Sequence, residues 1–206
     1  MKFTFSWLCD HLDTNKSLNE ICDVLPMLGL EVEDLYNPLD ALAPFRIVEI
    51  VEANQHPDAD RLRVCRVNTG EGELQIVCGA GNARAGLRTV LAPVGAHVPG
   101  LDTVIKQGKI RGQTSEGMLC SLSELGIGED HEGIIELPFD APVGTGFTGF
   151  AQTEYAGLVD PVIEIAITPN RGDCLGVRGI ARDLAAAGCG TPVSYTHLTL
   201  PTKEEV

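Results

Sequence analysis

Apolar and polar positions change rhythm along the chain, and each change marks a boundary. In residues 1–37 the spacing is helical: Leu18, Ile21, Cys22, Leu25 and Leu28 form one apolar face. Ser17-Leu-Asn-Glu20 opens that helix as a capping box, with hydroxyl and carboxylate each satisfying an orphan backbone N–H. Pro26 lies inside the face and should end or kink the helix near Leu25. Gly29 then closes it, and Leu30-Glu-Val-Glu33 alternates as a half-buried strand. Asn37-Pro38 and Ala43-Pro44 bracket a junction.

From Phe45 the period shortens to about two. Strands are predicted over Phe45–Glu52, Arg61–Asn68, Leu74–Cys78, Leu87–Ala92 and Thr103–Arg111. The polar run Asn54–Asp60 reads as a loop and Thr69-Gly-Glu-Gly72 as a hairpin. Within Arg61–Asn68, Leu62 and Val64 face one side and Arg61 and Arg63 the other, and a phase slip at Cys65 and Val67 predicts a bulge. After Pro138 the first regime returns. Val162–Thr168 alternates, with Ile163, Ile165 and Ile167 on one face. Thr168-Pro-Asn-Arg-Gly-Asp173 reads as a turn ending on an Asp173 N-cap. The helix after it carries Val177, Ile180, Ala181 and Leu184 on one side, Arg178 and Arg182 on the other, and stops at Gly188.

Short curved strands joined by Gly-rich turns suit a small closed barrel of the five-stranded oligonucleotide/oligosaccharide-binding (OB) type. A sandwich is less economical, because about 105 residues are too few for two full sheets plus helices. The expected fold class is therefore α+β, mostly β. Residues 1–39 and 152–192 form two halves of one small α+β domain, and 40–151 form a barrel inserted between them. Residues 193–206 show no period or stop signal and read as a disordered or foreign tail.

Composition narrows the chemistry. The net charge of −14 argues against a generic nucleic-acid coat, DNA included, and against a membrane-surface binder. Yet from Arg46 to Arg111 nine Lys/Arg face seven Asp/Glu, so any polyanion contact belongs in that window. Seven cysteines, an odd number without a C-x-x-C pair, point to reduced thiols in a cytoplasmic protein. His56, Cys65, Cys78, Cys120 and His131 lack the tight local pairs of a zinc site. The N-terminus carries no long apolar run, so neither a signal peptide nor a membrane span is expected.

The richest stretch is Lys109–Gly126. Lys109 and Arg111, two apart on a predicted strand, should leave one face while Ile110 packs inward. Ser121-Leu-Ser-Glu124 is a second capping box, opening a one-turn helix stopped by Gly126. A helix N-terminus beside two cations can hold phosphate; equally, it can be a barrel corner whose cations are simply solvated. His56-Pro-Asp-Ala-Asp-Arg61 is turn chemistry more readily than an acid/base cluster. Gly79-Ala-Gly-Asn-Ala-Arg84 lacks the third glycine and the βαβ frame of a dinucleotide fingerprint. No P-loop or nucleophile–base pair is evident, so the chain alone is not expected to be a catalyst.

Taken together, His56-Pro-x-Ala-Asp-x-Leu62, Ile76-Val-Cys-Gly-Ala-x-Asn82, Gly86 and Lys109-Ile-Arg-Gly-x-x-Ser-x-Gly-Met-x-Cys-Ser121 with Glu124-Leu-Gly resemble the tRNA-binding barrel of several synthetase-associated proteins. The flanks, Trp7-Leu with Leu30-Glu-Val-Glu33, Thr168-Pro-Asn-Arg-Gly-Asp173 and Gly179-Ile-Ala-Arg-Asp183, resemble the N-terminus of the bacterial phenylalanine–tRNA ligase β-subunit family over residues 1 to about 192. The resemblance implies an OB barrel inserted in a winged-helix-like domain. It also implies a tRNA partner and an α2β2 assembly whose α subunit holds the ATP- and Mg²⁺-consuming site, with editing and anticodon domains further along β. Arg61, Arg63, Arg84, Arg88, Lys109 and Arg111 would then contact phosphate, while Asn82, Ser115 and Glu116 would shape the loops. The strands carry no row of stacking aromatics, so a scaffold module of the same complex is the rival reading, with a free-standing tRNA-binding protein behind it.

Overall fold

The computed structural model describes residues 1–193, so the tail expected from Ser194 onward lies outside the described residues. The chain divides into two compact units: residues 37–159, and residues 1–36 together with the segment from Asp160.

The 37–159 unit is built on five antiparallel strands: β1 (Arg46–His56), β2 (Ala59–Asn68), β3 (Glu73–Cys78), β4 (Arg88–Pro93) and β5 (Gly117–Leu119). Their order is β5-β4-β1-β2-β3. The two ends of that row meet. Glu116 N–H donates to Gln75 O at 2.9 Å, and Val77 N–H donates to Ser115 Oγ at 3.1 Å. The sheet is thus a nearly closed, barrel-like wall. Inside it pack Val48, Ile50, Cys65, Val67, Ile76, Leu91 and Leu119. Ile47, Val90 and Ala92, one residue out of phase, pack outward with Phe45 and with Leu42, Phe147 and Ala151 of the flanking helices Pro38–Leu42 and Phe147–Glu154. Burial on both faces explains why Ile47-Val48 and Val90-Leu91-Ala92 are unbroken apolar runs.

The structure corrects the strand boundaries. The polar run 54–60 is not a loop: β1 continues to His56 and β2 starts at Ala59, leaving only Pro57-Asp58 to turn the chain. Gln55 Nε2 donates to Ala59 O and Asp60 O, so polar side chains stabilise a ribbon that apolar periodicity could not reveal. One bulge sits on β1, where the pairing passes from Ile50↔Val67 to Glu52↔Arg66, and β2 keeps one phase from Arg63 to Asn68. A second irregularity lies on β2, where the pairing passes from Gln55↔Arg63 to His56↔Ala59, so Arg61 sits in a bulge beside the Pro57-Asp58 turn. Thr103–Arg111 is two pieces, Thr103–Val104 paired with His97–Val98, and Gly108–Ile110 paired with Gln113–Ser115.

In the other unit, Val162–Ile165 is the central strand between Lys2–Thr4 and Val32–Tyr36. The third strand thus starts two residues later than expected and runs to Tyr36. The Ser17/Glu20 capping box forms in both directions, the helix runs Leu18–Val24, and a 3-10 turn over Leu25–Leu28 ends at left-handed Gly29. These pack with the Val177–Ala186 helix around Leu8, Leu12, Ile21, Leu25, Ile163, Ile165, Ile180 and Leu184. Asp173 is not the N-cap of that helix. It lies in a 3-10 turn, Gly172–Cys174, and the helix starts after Gly176 without a side-chain cap. Asp173 instead joins an ion-pair network with Arg171 and Arg182, in which Arg171 also pairs with Asp183 and donates to Leu28 O at 2.7 Å. Arg171 thereby fastens the 25–29 turn to the 171–186 segment.

Arg171, and after it Arg182, hold the Asp173 carboxyl down to about 2; Lys16 and Ser17 do the same for Glu20. Both carboxylates then favour the folded state above the unfolded values near 4. That contribution should be lost as pH falls from about 4 toward about 2. Melting temperature against pH should show this decline, and Asp173→Asn should flatten it; an unchanged acid limb in the variant would refute the assignment.

Candidate nucleic-acid interface

Two turns meet at one end of the barrel-like sheet. The first is Pro57-Asp58 between β1 and β2. The second is Arg111-Gly112, with φ of 47° and 88°, joining Gly108–Ile110 to Gln113–Ser115. Positive φ at both central residues is the turn geometry that matches the twist of paired strands, and Gly112 adopts it without strain. Arg111 is therefore in a turn, and the expected strand carrying Lys109 and Arg111 on one face is not formed. Ile110 does not pack inward either; it is 41% exposed.

His56, 2% exposed, ties the turns together. Its Nδ1 accepts from Asp58 N–H at 3.0 Å, which leaves the proton on Nε2 to donate to Ile110 O at 3.2 Å. Arg111 Nη1 adds a bond to Asp58 O at 3.4 Å. His56 thus acts as a buried fastener between the two turns.

Apart from Arg46, which opens β1 and also has no ion pair among the described residues, the cations of the basic window fall into two groups. Arg84 makes a two-pronged pair with Glu136 at 2.7 Å on both nitrogens. Arg88 lies 3.8 Å from Glu49, donates to Ala141 O at 2.7 Å and covers the Phe139 ring at 4.7 Å. Arg66 is held by Glu52 and Glu73. By contrast, no ion pair among the described residues involves Arg61, Arg63, Lys106, Lys109 or Arg111. Arg61 and Arg63 start β2 just after the first turn; Lys109 and Arg111 frame the second. The docked turns bring these four to one end of the sheet.

The three remaining expected residues sit in the framework. Asn82 clamps the 134–136 segment, donating to Ile134 O at 2.8 Å and accepting from Ile134 N–H at 3.1 Å. Ser115, 5% exposed, bridges Val77 N–H and Gly117 O at the sheet closure. Glu116 accepts weakly from Gln75 N–H and Gln107 Nε2, both at 3.4 Å. With Arg84 first and Asn82 second, the Glu136 carboxyl is held down to about 2.

The reciprocal Ser121–Glu124 hydrogen bonds form, but the residues after them make turns and not the expected one-turn helix, and they do not offer a phosphate site. Ser121 N–H donates to Glu124 Oε2 at 2.7 Å and Glu124 N–H to Ser121 Oγ at 3.2 Å, so the protein's own carboxylate occupies the anion position. Beside this turn opens a cleft of about 840 Å³, lined by Gly79–Gly81, Leu101, Val104, Ile110, Met118 and Ile134 among others.

Burial pushes the Cys65 thiol up to about 11 and the Cys120 thiol up to about 12, so both stay protonated at neutral pH. In the other unit Asp173, Cys174 and Asp183 bring ligand atoms within 4.8 Å of one another. Arg171 Nη2 bonds both Cys174 Sγ and Asp183 there, and the guanidinium takes the place a metal ion would need. Among the described residues no helix is long and apolar enough to cross a membrane.

Residues 45–146 match the family described as putative tRNA binding domain. The chain is 60% identical, over 92% of its length, to the phenylalanine–tRNA ligase β subunit of Gluconobacter oxydans. It is 56% identical over 98% of its length to that of Rhodospirillum rubrum. It spans about a quarter of the length of these relatives, 23% and 24%. The solved MetRS related protein of Pyrococcus horikoshii gives a weak likeness, with 21% identity, TM-score 0.36, 49% of this chain and 85% of that one. On identity sustained from end to end, with the tRNA-binding match in its middle, the chain belongs to the phenylalanine–tRNA ligase β-subunit family.

Proposed function

We propose that the chain is the tRNA-gripping part of a phenylalanine–tRNA ligase β subunit, which partners an α subunit in an α2β2 enzyme of the cytoplasm. The 37–159 unit, wider at both ends than the expected 40–151 because the Pro38–Leu42 and Phe147–Glu154 helices pack on its sheet, is an OB-type barrel inserted in a winged-helix-like domain made of 1–36 and the segment from Asp160. Arg61, Arg63, Lys109 and Arg111 hold RNA phosphates, and Asn82, Ser115 and Glu116 keep the surrounding loops in shape. ATP and Mg²⁺ act on the α subunit, as the family resemblance implies. The observation that carries this reading is the gathering of four cations without acidic partners around two docked turns, in a chain of net charge −14. Phosphate contact of this kind gives affinity and position without sequence readout.

Titrating the 206-residue chain with tRNA at increasing salt tests it. About four phosphate contacts predict a slope of log K against log salt of roughly −3 to −4. Absence of binding at low salt, or binding insensitive to salt, would overturn the reading. Loss of α-subunit co-purification on mutating the same cations, with tRNA affinity intact, would favour a scaffold role instead.

A further inference from the structure

The cleft beside the cations has features that a phosphate grip does not explain. Leu101, Val104 and Ile110 are 50%, 46% and 41% exposed, and all three line it. Large aliphatic side chains left open around one concavity mark a binding surface. Gly79 and Gly81 face the same space, and a Cβ at Gly81 would meet nothing within 4 Å. The charged groups lining the cleft are Lys106, Glu124 and Glu132, with His131 beside them. One lysine against two carboxylates disfavours an anion inside, while Arg61, Arg63, Lys109 and Arg111, which make no ion pair, lie on the hairpin and β2 outside the lining. An occupant that fits is flat, largely apolar and uncharged, bears N–H donors for the carboxylates, and is joined to an anionic backbone that stays outside.

We propose that this cleft takes one unstacked RNA base carrying an exocyclic amine. It enters edge-on to Glu124 or Glu132 and is sandwiched by aliphatic side chains, while its flanking phosphates rest on Lys106, Lys109 and Arg111. The inference rests on the tRNA reading proposed for this unit. It supplies what the aromatic-poor strands lack: a surface for a base, here made of Leu101, Val104, Ile110 and Met118 rather than rings.

Two kinds of variant separate base from phosphate. Gly81→Leu puts a side chain into the open cleft, and Leu101→Asn makes its rim polar at an exposed position, so neither disturbs the buried core. With the 206-residue chain, either change should weaken tRNA binding roughly tenfold, the scale of one base contact, and leave the salt slope unchanged. Lys109→Ala with Arg111→Ala should instead lower the slope. A single-stranded oligoribonucleotide carrying one 2-aminopurine reports the base directly: its fluorescence should rise as the base leaves the stack on binding, and should not rise with Gly81→Leu. If the cleft variants bind tRNA normally while the charge variants do not, the cleft proposal fails and the phosphate grip stands. If neither set changes binding, both fail. If the cleft variants lose the α subunit instead of tRNA, the occupant is protein and the proposal is overturned.

Discussion

Replacing Arg61, Arg63, Lys109 and Arg111 together by alanine should cut tRNA affinity by well over tenfold at low salt, where counterion release from about four phosphates is lost. The slope of log K against log salt should move toward zero by about 3. Replacing Arg84 and Arg88 should leave that slope nearly unchanged, although both lie in the same stretch of sequence. Arg84 is already neutralised by Glu136, and Arg88 is engaged by Glu49, Ala141 O and the Phe139 ring. Their loss should appear as a lower melting temperature. A binding titration and a melt on each variant decide the matter; equal slopes for the two sets would remove the distinction between free and occupied cations.

Gly179→Ala should destabilise the 1–36/160–193 unit, against the usual sign for glycine in a helix. Inside a helix, glycine costs about 1 kcal/mol relative to alanine, so alanine normally stabilises. Here a Cβ would lie 1.9 Å from Asp173 O and 2.8 Å from its carbonyl carbon, and backbone cannot swing aside as a side-chain tip can. The 3-10 turn over Gly172–Cys174 would have to move off the helix it abuts. Overpacking of that kind costs about 1–3 kcal/mol, or roughly 5–15 °C in the unit's own transition. Gly149→Ala in the Phe147–Glu154 helix is the control: a Cβ there meets nothing within 4 Å, and the change should raise the melting temperature by a few degrees. Thermal melts of the two variants should thus move in opposite directions, and a stabilised Gly179→Ala would show that the close approach is absent in solution.

What could be read from the sequence was local chemistry. Ser17/Glu20 and Ser121/Glu124 bond reciprocally as their spacing requires, Pro26 ends its helix, and Gly29 takes the left-handed conformation. Each depends on residues within a few positions of one another. What could not be read depends on partners far along the chain. Glu136 lies 52 residues beyond Arg84, so no window shows that this cation is taken. The Arg111-Gly112 turn was hidden because an x-Gly pair inside an apolar-poor stretch reads as strand or turn alike. Asp173 beside Gly172 looked like an N-cap until Arg171 and Arg182 claimed its carboxylate. The basic window was legible as a composition; which of its cations are unoccupied was not, and neither was the cleft.

The three-stranded sheet joining Lys2–Thr4, Val162–Ile165 and Val32–Tyr36 has a consequence for synthesis on the ribosome. Its central strand is made last. At about 5–20 residues per second, the first 36 residues wait on the order of ten seconds for Val162–Ile165 to emerge. Leu8, Leu12, Ile21 and Leu25 then have no completed core to enter. The intervening 37–159 segment holds all five strands of its own sheet and can close first. The nascent chain therefore matures from its middle outward, and the interval before residue 165 is when its N-terminal apolar face most needs a chaperone.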